Sequence, residues 1–150
     1  MAYTVTSSIV IDGPPGDVFA ALADPAVQIT YDRETYIATE QLTPGPIGKG
    51  TRFRGTFKGM GTVEYEYDEF EPGRLIQHHF VMSVGDTHHR FEFSPESGGT
   101  RLTQTIDTEP SLFGRVVWPL LLERKLRARM RTLNTLVRTY VEASPPHPPS

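Results

Sequence analysis

Four of the chain's five histidines fall in one short stretch, Gln77 to Phe91, as the adjacent pairs His78-His79 and His88-His89. Imidazole serves both transition-metal ligation and proton transfer near neutral pH. Two chemistries are therefore raised: a metal centre, or a general acid/base site. The choice turns on where the backbone points each ring. Successive residues of a strand face opposite ways, so an extended stretch splits each pair between two faces.

Turn signals make the stretch extended. From Thr51 to Asp107 alternating segments are punctuated by Gly59-Met60-Gly61, Glu71-Pro72-Gly73-Arg74, Val84-Gly85-Asp86-Thr87 and the run Ser94 to Gly99. Each hairpin can be tested for the loop that gathers apolar residues, because a one-residue slip turns every side chain over. A Gly85-Asp86 turn pairs Met82 with His89, Phe80 with Phe91 and His78 with Phe93. A Pro72-Gly73 turn pairs Tyr67 with His78, Tyr65 with Phe80 and Val63 with Met82. A Gly59-Met60-Gly61 loop pairs Phe57 with Val63, Gly55 with Tyr65 and Phe53 with Tyr67. The last hairpin brings Leu102 to Phe93, Gln104 to Phe91 and Ile106 to His89. The other face then sets Arg54 against Glu66 and Glu66 against His79, a solvated ladder of opposite charges.

This register sends His79 and His88 outward. His78 and His89 go inward, offset by four residues, roughly 13 Å at strand rise. Nitrogens on one zinc must both lie about 2.0–2.1 Å from it, so the inward pair cannot share an ion, and no metal is expected. His78 lies opposite Tyr67. A phenol beside an imidazole in a dry pocket can move a proton, which makes His78 and Tyr67 the catalytic candidates; a buried His–Tyr hydrogen bond satisfying both is the plainer reading. Gln104 is a polar misfit among apolar neighbours, either a ligand contact or a satisfied core amide.

Further elements hold this sheet. Tyr3 to Asp12 alternates as a first strand. Pro14 and Pro15 open a short helix carrying Val18, Phe19 and Leu22. Asp24-Pro25 ends it and starts a second, to about Asp32, and Tyr36 to Leu42 is a second strand. After Pro110 a long helix runs to about Glu142. Leu122, Leu126, Met130, Leu133, Val137 and Tyr140 form its apolar stripe, and Pro119 is expected to break it. Residues 143–150 read as a disordered proline-rich tail after a single domain over 1–142.

Composition narrows the rest. The chain has 150 residues, no cysteine and a net charge of −3. Disulfides and thiolate metal sites are excluded, and nothing draws it to nucleic acid. Val116 to Leu122 is too short to span a bilayer, so no stable membrane insertion is expected. A cytoplasmic location is expected, as a monomer or homodimer. The arginines from Arg115 to Arg138 read as a solvated helix face; an interaction module built on that face is a third functional reading.

The segments from Ile11 to Pro25 (IDGPPGDVFAALADP), Gly45 to Gly55 (GPIGKGTRFRG), Glu66 to Phe80 (EYDEFEPGRLIQHHF with its flank) and Phe93 to Ile106 (FSPESGGTRLTQTI) come in this order before one long helix. In order and texture the chain resembles the START-like (SRPBCC, helix-grip) superfamily, in its polyketide cyclase/dehydrase and lipid-transport-like branch. The resemblance implies an α+β helix-grip fold: a curved antiparallel sheet of about seven strands on a long C-terminal helix, with two short helices between strands 1 and 2. It also implies a cavity between sheet and helix for a hydrophobic or aromatic small molecule, without a cofactor. The wall would comprise Phe53, Phe57, Tyr65, Tyr67, His78, Phe80, Met82, His89, Phe91 and Gln104. The helix would add Trp118, Leu122, Leu126 and Met130, with Tyr31 and Tyr36 within reach of the mouth. A binding protein is the first expectation; a cofactor-free cyclase or dehydratase using His78 and Tyr67 is the alternative.

Overall fold

In the computed structural model, residues 3–118 and 122–144 are described. The expected tail therefore lies almost wholly outside the described residues, as does Pro119. Strand β1 (Tyr3–Ile11) is followed by α1 (Pro15–Ala23), α2 (Pro25–Tyr31), β2 (Tyr36–Gln41), β3 (Arg52–Phe57), β4 (Gly61–Glu71), β5 (Leu75–Met82), β6 (Gly85–Glu96) and β7 (Gly99–Pro110). Two helices close the chain, α3 (Leu112–Val117) and α4 (Glu123–Ala143). The strands form one seven-stranded antiparallel sheet in the order β1-β7-β6-β5-β4-β3-β2. The two strands flanking the short helices thus lie at opposite edges, and α1 and α2 make the crossing. This is the helix-grip architecture.

Local chemistry explains the helices. Pro15 occupies the first turn of α1, where its missing N–H costs nothing. Asp24 ends α1 and caps α2, its carboxylate accepting from Ala26 N at 2.9 Å. On α4, Met130, Leu133, Val137 and Val141 are buried at spacings of three and four. Each such side chain contributes about 1.5–3 kcal/mol when fully buried.

The core divides into two clusters. The larger gathers α1, the C-terminal half of α4 and the wall residues Phe53, Tyr65, Tyr67, Phe91, Phe93 and Leu102. The smaller holds Val5, Ile106, Trp118 and Met130, with Leu122 and Leu126 against it. Leu102 and Ile106 lie on one strand, Met130 and Leu133 on one helix, so the boundary between clusters crosses both at the same level.

The registers bear out the β6–β7 pairing, with Phe91 opposite Gln104 and Phe93 opposite Leu102. Tyr67 faces His78 as expected, although by a different route. The β4–β5 turn contains Pro72, Gly73 and Arg74, and a bulge at Asp68 restores the phase. Two expected registers are corrected. In β3–β4, Phe57 opposes Gly61, Gly55 opposes Val63 and Phe53 opposes Tyr65, because Lys58 to Met60 form the loop. In β5–β6 the turn is Ser83-Val84, so Met82 opposes Gly85 and His78 opposes His89. The partner moves by two residues in the first and by four in the second, and both shifts are even, which leaves every face assignment intact.

Gly85 explains the second error. It is required by a neighbour rather than by the turn. Its φ is +146°, and a Cβ there would lie 2.3 Å from the Glu109 carbonyl oxygen of β7. Gly85→Ala is therefore expected to lower stability by about 2 kcal/mol or more. Urea denaturation followed by circular dichroism measures it, and an unchanged midpoint would contradict the close approach.

Candidate functional site

A polar row crosses the interior at the boundary between the clusters. Ser7 on β1, Gln104 on β7, His89 on β6 and His78 on β5 all face inward, and Asn134 of α4 lies above them. Gln104 has no exposed surface and is the hub. Its amide nitrogen donates to the Met130 carbonyl at 3.0 Å and to Asn134 Oδ1 at 2.6 Å. Asn134 Nδ2 donates onward to Ser7 Oγ at 3.1 Å. With its NH₂ so engaged, Gln104 turns its oxygen to His89 Nε2, 2.9 Å away. An acceptor there requires His89 to carry its proton on Nε2. The expected misfit is thus a satisfied core amide. It also joins both sheet and helix to a histidine.

His78 is the end of the row and is not satisfied. Its Nε2 is buried and has no hydrogen-bond partner. The ring lies between apolar faces, stacked on Tyr67 (4.8 Å, 12° between planes) and Tyr65 (4.9 Å, 25°), and edge-on to His89 at 5.9 Å. The inward histidines are therefore neighbours, not some 13 Å apart, since the β5–β6 turn falls two residues earlier than expected. Burial holds the His78 imidazolium well below the usual range, and His89 beside it adds to this. Burial likewise pushes His89 down to about 4, helped by the Arg129 charge and opposed by the Gln104 bond. Both rings are neutral at pH 7.

Tyr67 does not hydrogen-bond His78. Its hydroxyl donates to the Ala23 carbonyl at 2.9 Å and so ties β4 to the end of α1. Burial raises the phenol well above its ordinary value. Tyr36 and Tyr65 share a hydroxyl–hydroxyl bond, and Tyr36 also donates to Thr39 Oγ1 at 3.1 Å. Gly55 leaves room for this pair, since a Cβ there would lie 2.9 Å from the Tyr36 hydroxyl. Tyr31 donates to the Ala21 carbonyl at 2.6 Å and stacks on Tyr140. These phenols are structural.

The remaining wall residues divide by place. Phe53 and Phe91 join the aromatic group around His78. Phe57 packs on Tyr36. Trp118 stacks on Tyr3 at 4.7 Å, in the smaller cluster with Met130, Leu122 and Leu126. Phe80 and Met82 are half-buried where the sheet opens. The β4–β5 ladder stops at Glu66–His79, so the expected pairs Tyr65–Phe80 and Val63–Met82 do not form. Between the parted strands lies a cleft of about 630 Å³, lined by Val63, Tyr65, Phe80 and Met82 together with the outward-facing Glu64, Glu66 and His79.

Sequence reasoning missed Asn134 and Arg129. Asn134 sits four residues after Met130, in line with the apolar stripe, and that interruption was its signal. Arg129 pairs with the buried Asp32 through both guanidinium nitrogens, one at 3.2 Å. Asp32 also accepts from Gln28 Nε2 at 3.2 Å. One arginine of the supposedly solvated face therefore anchors α4 to the end of α2.

A curved sheet gripping a helix, with an apolar interior crossed by one polar row, defines a helix-grip protein. The chain belongs to the polyketide cyclase / dehydrase and lipid transport family, which it matches over residues 2–142. No curated protein matches it. Among solved structures it is similar to the di-domain ARO/CYC protein BexL of the BE-7585A biosynthetic pathway, at 17% identity and a TM-score of 0.79. That likeness covers 96% of this chain and 51% of BexL. It is also similar to Ara h 8.0201, at 13% identity and TM-score 0.74, over 96% of this chain and 100% of the other. The protein MLL2253 from Mesorhizobium loti is alike at 15% identity and TM-score 0.74, over 95% and 99% of the two chains. At these identities the likeness speaks for the fold.

The depressed imidazoles make stability depend on pH. Between the usual value near 6.5 and the folded value of about 4, the unfolded chain binds the proton and the folded chain does not. The contribution is fully present above about 6.5 and is lost as pH falls toward about 4. Urea midpoints measured across that window should fall with pH, and His89→Gln should flatten the slope. An equal slope in wild type and variant would contradict the assignment.

Proposed function

We propose that the protein binds a hydrophobic or aromatic small molecule between the concave face of the sheet and α4, and that His78 is its polar anchor. The observation that carries this reading is the buried, unpartnered Nε2 of His78. Such an atom costs about 1–3 kcal/mol, and a ligand oxygen or nitrogen within reach removes that cost. The rings of Tyr65, Tyr67 and Phe91 around it suit a flat apolar body. Both imidazoles are neutral, so a neutral hydroxyl or carbonyl is preferred to an ion. Family membership supports a hydrophobic-ligand cavity in general terms.

A cofactor-free cyclase or dehydratase acting on the bound molecule is the second reading. It rests on the same free nitrogen, which is unprotonated and open to a substrate proton, though burial makes it a weaker base than an ordinary imidazole. Tyr67 would not share that work, because its hydroxyl is held by Ala23. BexL, an ARO/CYC protein, is the structural neighbour that motivates this reading.

The binding proposal is tested with 1-naphthol and naphthalene, which share a ring system and differ in one hydroxyl. Calorimetry should show 1-naphthol bound more tightly, by up to about tenfold, the worth of a net hydrogen bond. His78→Phe should remove the difference while keeping naphthalene affinity. Failure of both probes to bind, or a preference that survives His78→Phe, would refute the anchor.

A further inference from the structure

The inward histidines cannot be judged alone, because their outward neighbours are also paired. His79 opposes His88 directly across β5 and β6. The rings stack at 4.5 Å with 15° between planes. One transverse row of the solvated face therefore runs Glu66, His79, His88, Asp107 across four strands. Asp86 reaches His79, its Oδ1 lying 2.6 Å from Nε2. Asp68 reaches His88, with 3.3 Å between Oδ2 and Nε2.

We propose that His79, His88 and Asp86 form a binding site for a divalent cation of the zinc class on the convex face of the sheet, with Asp68 completing it. The ligand atoms of His79, Asp86 and His88 all lie within 4.8 Å of one another. Two ligands at about 2.0–2.2 Å from one ion stand at most about 4.4 Å apart. Small rotations of half-exposed side chains close that gap. Two imidazoles and two carboxylates are a set that suits zinc and its neighbours better than calcium or magnesium.

Two features mark the site as built. The first is the bulge at Asp68, which leaves that residue out of the ladder; bulges re-aim side chains. The second is a supporting shell. Gln77 Nε2 donates to both oxygens of Asp68, at 3.1 and 3.2 Å. Arg90 Nε in turn donates to Gln77 Oε1 at 2.9 Å, which fixes the amide the right way round. Outer-shell bonds of this kind orient metal ligands. Acidic residues flank the histidines in this row, Glu66 beside His79 and Asp107 beside His88, with Arg52 and Thr4 beyond them.

The expectation of no metal rested on the inward pair. It does not bear on this face, whose chemistry is separate from the ligand cavity. Tag-free protein titrated with Zn²⁺ should take up one equivalent, and Co²⁺ should give the visible absorption of a four-coordinate ion. His79→Ala and His88→Ala should each weaken binding at least tenfold, while 1-naphthol affinity stays unchanged. Asp86→Asn, which preserves shape, should also weaken it and guards against a folding defect in the histidine variants. No uptake of either ion, or uptake undiminished in all three variants, would overturn the site.

Discussion

Gln104 sits in the middle of a strand, without exposed surface, between two apolar clusters. A primary amide has two donors and one acceptor group to satisfy, and burying it unpaired is costly. Its three partners come from two elements: the α4 backbone at Met130, the α4 side chain of Asn134, and His89 of β6. That one requirement sets how far along the sheet α4 lies. It also chooses the tautomer of His89. A slide of the helix by one turn would leave the hub with neither of its α4 partners.

Other ties hold the helix against the same slide. Arg129 clasps Asp32 at the end of α2, and Asp12 N donates to Glu142 near the far end of α4 at 3.0 Å. Tyr67 holds the end of α1 through Ala23. With helix, short helices and sheet thus fixed, the row Ser7–Asn134–Gln104–His89 is satisfied throughout. His78 is left at its end with a free nitrogen. That contrast within one row is what motivates the proposal of His78 as a binding position. A ligand that supplies the last partner extends a network the fold has already ordered.

Faces were legible in the sequence and distances were not. Strand alternation has a period of two, so a hairpin misjudged by two residues still sorts His78 from His79 and His88 from His89 correctly. The same error misplaces His89 by the difference between contact and roughly 13 Å. Gly85 misled because a glycine can answer to a turn or to a neighbouring strand, and only the fold reveals Glu109 beside it. Tyr67 and His78 were paired correctly because the longer turn and the Asp68 bulge offset one another. The Gln104 network was hidden for another reason: it depends on the axial position of α4 over β7, which no local pattern encodes. The parting of β4 from β5 was hidden likewise, since apolar residues continue on both strands beyond the last ladder pair.

The central claim is that His78 is neutral and that its buried Nε2 is short of one hydrogen-bond partner. Side-chain ¹⁵N–¹H correlation spectra of the histidines test it most directly. In the free protein His78 should stay neutral through the pH range around the ordinary imidazole value of about 6.5. On adding 1-naphthol its Nε2 resonance should move, while that of His79 on the outer face should not. A His78 that titrates near 6.5, or whose Nε2 signal ignores a bound ligand, would contradict the account.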